Sequence, residues 1–324
     1  MTEEIFSSAQ GYRIQKTIKA PVDITGIGLH SGAAARLKIL PAAPNHGLKF
    51  EKTCNGKSYS VPAHFTSVVS TTLATSLGIH GETDSKISTV EHLMSALYAL
   101  GITNALIQLD GPEVPILDGS SAPFVTALID TGITPQAFTA PTLKVVKPIK
   151  LYQQGAICEL LPRESLRLTT SVDFPHPMIG SQIFALELTP KAFTEIISSA
   201  RTFGFYSDLQ KLQSHGLALG ASLENAVGFT EDGVLNEKGL RFPDECVRHK
   251  LLDALGDLAL CGSWIQGELV SFRGGHSIHL ALLKSLESHK SHWELLPAKP
   301  ISPLTGGKAT ATHHTASLKT HAPL

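Results

Sequence analysis

The chain has 324 residues, 42% hydrophobic and 17% charged, with a formal net charge of -1. That length can bury a sizeable core and suits two domains of ordinary size, while that charge gives no electrostatic footing for nucleic acid or an anionic membrane surface. No apolar run approaches the ~20 residues of a membrane span, and the opening MTEEIFSSAQ lacks the basic-then-apolar pattern of a secretory signal.

The first pieces, YRIQKTI, AARLKIL, LKFEK and TTLATSLGI, mix β-branched and apolar residues, and NHG and NG turns separate them. They read as strands. GIGLHSG, residues 26–32, suggests a dinucleotide fingerprint. The third glycine of G-x-G-x-x-G falls at Ser31, however, and no βαβ unit surrounds it, so a tight turn between strands is expected. In ISTVEHLMSALYALGI, Val90, Leu93, Met94, Leu97 and Leu100 recur at steps of three and four, a helical period. Ser88 and Glu91 have the spacing of a capping box, which sets the helix start near Ser88, and Gly101 can end it. ALIQLDG reads as a strand and PFVTALIDTGI as a second helix.

PTLKVVKPIKLY, from Pro141, reads as a new start, so a border is expected between Phe138 and Thr142. AICELLP and LRLTTSVDF are strands, and KAFTEIISSA is a helix. Ser207 to Gly220 should form a short helix and an extended piece. DECVRHKLLDALGDLALCG is a leucine-rich helix, and GELVSFRGGHSIHLALLKSL closes with a strand, a glycine turn and a last helix. The tail, 303–324, is rich in Thr, Ala and Pro and reads as disordered, with His313, His314 and His321 solvated. Its GGK lacks the upstream glycine spacing of a P-loop. HLMSAL and HKLLDAL look alike, out of step by one residue, and point to a loose internal duplication. Strands clustered before helices favour α+β layers over a doubly wound sheet.

RHKLLDALGD carries the densest chemistry. Residues four apart on a helix advance ~40° beyond a full turn, so His249, Asp253 and Asp257 form one polar stripe. Leu251, Leu252, Leu255 and Leu258 take much of the remaining surface. An uncompensated buried carboxylate usually finds a cation, a donor or a metal. The plain alternative is a His–Asp hydrogen bond on an exposed face. A catalytic zinc takes three protein ligands and keeps a fourth position open. His249 and Asp253 supply two. Cys246 is the local candidate for the third, or a buried small hydrophobe. His92 is the distant one, available if the two histidine-bearing helices pack together, or else an ordinary surface or core histidine. Glu91 reads either as the cap partner of Ser88 or as a general base beside a metal-bound water. His276 follows two glycines, which can aim a side chain into a cleft. An imidazole held protonated by an aspartate can donate to a leaving group, and Asp257 is the spare aspartate. His279 reads as a packing residue. Cys54, Cys158, Cys246 and Cys261 make no CxxC pair, so free thiols and a cytoplasmic location are expected.

GIGLHSG, ISTVEHLMSAL, PEVPILDGSSAPFV, ARTFGF, VLNEKGLRFPDE, VRHKLLDALGDL and GGHSIH occur in this order from about residue 12 to 295. In them the chain closely resembles the UDP-3-O-acyl-N-acetylglucosamine deacetylases, the zinc amidases of bacterial lipid A synthesis. The resemblance implies two similar α+β domains, 1–139 and 140–302, each a mainly antiparallel sheet layered with a helix pair, with the active site between them. It implies His92, His249 and Asp253 as ligands of one Zn2+, with Fe2+ an alternative in the same site. It implies Glu91 as general base and His276 as general acid or charge stabiliser, oriented by Asp257. Thr202 would hydrogen-bond the oxyanion, and Lys250 would assist there or bind substrate. Phe203, Leu209, Leu212, Leu217 and Leu219 would line an acyl-chain passage formed by the 203–220 insert, and Phe174 would stack on the uracil. The implied partner is the small-molecule substrate, UDP-3-O-acyl-N-acetylglucosamine, acted on by a monomer without nucleic acid or stable membrane insertion. A rival of another class is a non-catalytic metal- or lipid-binding protein on the same fold.

Overall fold

The structure, a computed structural model, describes residues 13–301. The tail read as disordered lies outside them. Among the described residues there are six α-helices: α1 (Glu91–Leu100), α2 (Ala122–Thr131), α3 (Pro190–Ala192), α4 (Tyr206–Ser214), α5 (Glu245–Ala259) and α6 (His276–Ser285). The sheets between them are mainly antiparallel, so the fold is α+β, as expected.

One topology occurs twice. In the first half a five-stranded sheet runs Val22–Ile27, Ala34–Pro41, Ala105–Asp110, Leu48–Cys54, Lys57–Pro62. Its central strand, Ala105–Asp110, is antiparallel to one hairpin and parallel to the nearer strand of the other. In the second half the central strand is Trp264–Phe272. It is antiparallel to the hairpin of Ile149–Gln153 and Ala156–Leu161, and parallel to Leu166–Phe174, which pairs with Gly180–Glu187. After its two hairpins each half carries an insert: the three short strands Val68–Ser70, Ser76–Ile79 and Glu82–Ile87 in the first, a segment bearing α3 and α4 in the second. In each half a buried helix, the central strand and a further helix then follow. That makes α5 the counterpart of α1, and α6 the counterpart of α2. Thr142–Val145 and Trp293–Leu296 extend the second sheet beside the start of its central strand.

Side-chain alternation drives the layering. Ala35, Leu37 and Ile39 point inward from Ala34–Pro41, and Ile265 and Leu269 from Trp264–Phe272, the period of two that a strand imposes. Helix α1 is buried along its whole length and packs against α5. Leu93, Met94 and Leu97 join Leu251, Leu252 and Leu255 in one core with both sheets. Each such side chain contributes about 1.5–3 kcal/mol on burial. Gly256 sets how close the two helices come: a Cβ there would lie 2.2 Å from the Glu91 carbonyl oxygen.

Three local expectations need correction. Helix α1 starts at Glu91, with Val90 as an N-cap that makes no side-chain bond. Thr89 has φ 57°, which breaks the helical path after Ser88, and the Ser88 hydroxyl meets Ser76 instead. KAFTEIISSA holds only the short α3, continued by a π-helical turn, Phe193–Ile197. TTLATSLGI is a strand only from Ser76, and Thr71 to Thr75 precede it as a loop. GIGLHSG is the tight turn expected. Its peptide N–H groups at His30 and Ser31 donate to the buried Glu113 carboxylate, which also accepts from Thr89 Oγ1. The glycine-rich turn is thus an anion nest filled by the chain's own side chain.

Candidate metal centre

The packing of α1 on α5 brings His92 to His249, with ring centroids 5.0 Å apart and edge to face. His92 is the second residue of α1, and His249 and Asp253 stand one turn apart on α5. Asp253 Oδ1 lies 3.3 Å from His249 Nε2 and 3.7 Å from His92 Nε2. All three side chains are buried, and one donor atom from each lies within 4.8 Å of the others. Bonds of ~2.0–2.1 Å to a tetrahedral ion imply donor separations of about 3.3–3.4 Å, so the set fits a divalent cation with little movement.

The orientation of the donors is fixed from behind. His249 Nδ1 meets the Ala200 carbonyl at 3.0 Å, which leaves Nε2 to face the cluster, the usual outer support of a ligating histidine. Lys250 Nζ donates to Asp253 Oδ2 at 2.8 Å and leaves Oδ1 free. His92 Nδ1 has no hydrogen-bond partner among the described residues. Its backbone carbonyl accepts from Ser121 at 2.7 Å and Ser95 at 2.9 Å.

The protonation states suit ligation. Burial, helped by the neighbouring His249, pushes the His92 imidazole down to about 3, and burial lowers His249 too. Burial would raise Asp253, but His249, Lys250, His276 and His92 hold it far below the carboxylate range. The result is two neutral imidazoles and one carboxylate, the forms a metal ion requires.

Glu91 and His276 face each other beside this set, with Glu91 Oε1 and His276 Nε2 3.7 Å apart. Burial pushes the Glu91 carboxyl up to about 8; His276 opposes the rise, while Asp253 and Asp257 add to it. Burial would lower His276, but the Asp257 charge and hydrogen bond outweigh it and raise the imidazole to about 9. His276 Nδ1 reaches Asp257 Oδ2 at 2.8 Å. His279 Nδ1 reaches the same oxygen at 2.8 Å, and its Nε2 meets Ser271 Oγ at 2.8 Å. Thr75 Oγ1 donates to Asp257 Oδ1 at 2.5 Å.

A cleft of about 330 Å³ opens onto these groups. Glu91, His92, Thr202, Phe203, Lys250 and His276 are among its walls, as are His30 and Leu73. Phe203 packs on Phe174 edge to face at 5.7 Å, which sets Phe174 among Phe203 and Phe205. Leu209 and Leu212 lie half-buried on α4, Leu217 is half-buried beyond it and Leu219 is exposed; none of the four lines this cleft. Cys246 is buried in a separate apolar cluster with Val172 and Phe229, and burial pushes its thiol up to about 12.

Sequence reasoning missed Thr75, and its reading of His279 as a packing residue fits the burial but missed the bond to Asp257. Thr75 carries no periodic signature. His279 had one: it follows His276 at the three-residue step that shares a helix face. The clamp behind Thr202 was missed as well. Arg201 bonds the buried Glu245 through its side chain and its peptide N–H, both at 2.9 Å, so α5 holds the ARTFGF segment one turn before His249.

A buried two-histidine, one-carboxylate donor set beside an acid–base pair, on a twice-built α+β scaffold, has the form of a metal-assisted hydrolase. The family model LpxC, UDP-3-O-acyl N-acetylglycosamine deacetylase, matches residues 15–288, and the chain belongs to that family. It is 43% identical over 284 residues to the UDP-3-O-acyl-N-acetylglucosamine deacetylase of Histophilus somni, covering 87% of this chain and 92% of that protein. The proteins of the same name from Myxococcus xanthus and Syntrophotalea carbinolica are each 42% identical, covering 88% and 87% of this chain and 90% of each relative.

Proposed function

We propose that this protein hydrolyses the N-acetyl group of UDP-3-O-acyl-N-acetylglucosamine with one bound zinc ion, releasing acetate and the free glucosamine amine. The observation that carries this reading is the convergence of His92, His249 and Asp253 at donor separations of 3.3 and 3.7 Å, with Glu91 and His276 facing each other across the same cleft. Those three residues would hold the ion. Bound there, zinc supplies Lewis acidity, which acidifies water and polarises a carbonyl.

The chain's own residues do the rest. Glu91 Oε1 takes the proton of the attacking water. Its raised pKa suits it to accept and hand on a proton near neutrality. His276, held protonated by Asp257, gives a proton to the departing amine nitrogen. The Thr202 hydroxyl donates to the oxyanion, where one well-placed donor is worth about 3 kcal/mol. Lys250 fixes Asp253 and adds positive charge at the rim. Phe203 on the cleft wall and Leu219 of the 203–220 insert, 51% exposed, suit an acyl chain. The reaction site lies at the seam of two domains, 1–139 and 140–302, and the enzyme works as a cytoplasmic monomer.

Glu91→Gln tests the reading. The amide keeps the shape but cannot take a proton. Acetate release from UDP-3-O-acyl-N-acetylglucosamine should fall by about 10²–10⁴-fold, with the zinc content of the purified protein unchanged. Unchanged turnover in this variant would refute the assigned base. Iron found in place of zinc would revise the ion alone.

A further inference from the structure

Thr75 lies in the loop before strand Ser76–Ile79 and is 2% exposed. Each of its polar groups is engaged at the centre of the site. Its peptide N–H donates to Glu91 Oε2 at 3.1 Å. Its carbonyl accepts from the Val90 N–H at 3.2 Å, directly before α1. Its hydroxyl donates to Asp257 Oδ1 at 2.5 Å, across 182 residues of sequence. Glu91 stands on the helix of the first half and Asp257 on that of the second. Thr75 therefore bonds both carboxylates that serve the proton transfers.

We propose that Thr75 is a positioning residue for both members of the acid–base pair, an inference that rests on the deacetylase reading above. The terminal torsion of a carboxylate is soft, so a donor on one oxygen decides where the other points. On Glu91, Thr75 occupies Oε2 and leaves Oε1 facing His276. On Asp257 it occupies Oδ1 and leaves Oδ2 to accept from His276 and His279. The Asp257 hydrogen bond comes from a removable hydroxyl. The Glu91 hydrogen bond comes from the backbone and survives substitution, so a variant isolates the Asp257 arm.

The test compares Thr75→Val, Thr75→Ser, Asp257→Asn and the double variant Thr75→Val with Asp257→Asn. Residues that orient reacting groups from behind are commonly worth 10–100-fold in activity. Thr75→Val should lower kcat by about that factor while KM and zinc content stay as in the wild type. Thr75→Ser, which keeps the hydroxyl, should recover most of the loss. The double variant should be no slower than Asp257→Asn alone, because the two changes remove one shared interaction. Wild-type kcat in Thr75→Val, equal losses in the Val and Ser variants, or losses that multiply in the double variant would each overturn the assignment. So would loss of zinc from Thr75→Val, since Thr75 would then support the ligands rather than the acid–base pair. If Thr75→Val fails to fold by its melting curve, Thr75→Ala removes the same hydroxyl with less bulk and is read identically. Absence of acetate release by the wild type refutes the reaction itself, whereas retained turnover in the Thr75 variant refutes only its role.

Discussion

Helices α1 and α5 occupy equivalent places in the two halves, yet they hold their site residues by different means. The α5 side chains are pinned by hydrogen bonds: His249 by the Ala200 carbonyl, Asp253 by Lys250, and Asp257 by Thr75 and two histidines. The His92 imidazole on α1 has no such partner among the described residues. Its place is set by the burial of its helix and the depth at which that helix meets Gly256. Among the candidate ligands, the α5 pair is bonded residue by residue while His92 is carried by its helix, although Glu91 beside it is held by the Thr75 N–H, so the two sides should fail differently.

Gly256→Ala breaks the rigid-body side and should have the largest effect. A Cβ at 2.2 Å from the Glu91 oxygen has no flexible neighbour to displace, so α1 must move, carrying Glu91 and His92 together. Overpacking of this kind costs about 1–3 kcal/mol, and misplacing reacting groups by ~1 Å costs about 10²-fold in rate. Both losses should appear together, in the melting curve and in kcat, with zinc bound more weakly. Full activity in this variant would mean that the helix contact does not set the geometry.

Much of that contact was legible in the sequence. The three- and four-residue steps of Leu93, Met94 and Leu97 and of Leu251, Leu252 and Leu255 mark two helices with apolar faces, and the spacing of His249 and Asp253 marks a chelating pair. The likeness of HLMSAL and HKLLDAL pointed to counterpart helices. Which of Cys246 and His92 joins His249 and Asp253 was legible only through the family resemblance, which implied His92; it depends on helix packing between residues more than 150 positions apart, a relation no periodicity encodes. Thr75 was hidden for the same reason. A threonine in an apolar segment reads as strand, and its role comes from two carboxylates brought to it by the tertiary fold. His279 shows the opposite case, since its spacing from His276 and its burial were visible and its hydrogen bond to Asp257 was not.

Asp257→Asn loosens the bonded side and should act through pH more than through stability. Burial alone would lower His276 below its ordinary 6.5; Asp257 raises it to about 9. An imidazole so raised adds stability in full below 6.5 and loses it as pH climbs to about 9. Asp257, depressed from 3.8, adds stability above that value and loses it in acid. The alkaline fall in kcat/KM, expected near pH 9 in the wild type, should therefore move to lower pH in the variant, where Glu91 and Asp253 alone still raise the imidazole, with activity down by about 10–100-fold. An alkaline limb that stays in place would show that His276 is not the group lost on that side.

Ser88→Ala should have the smallest effect, and it separates the two readings of Glu91. A working capping box would cost about 0.5–2 kcal/mol when its serine is removed. Here the box is not formed. Thr89 turns the chain out of the helical path, and Glu91 spends its Oε2 on Thr75 rather than on Ser88. Among the described residues the serine hydroxyl has one hydrogen bond, from Ser76 Oγ at 3.2 Å. The variant should unfold within about 0.5 kcal/mol of the wild type and keep its turnover. A loss above about 1 kcal/mol would mean that Ser88 caps α1 after all. Glu91 would then be drawn toward the helix end and away from His276, and the paired acid and base would lose one of its members.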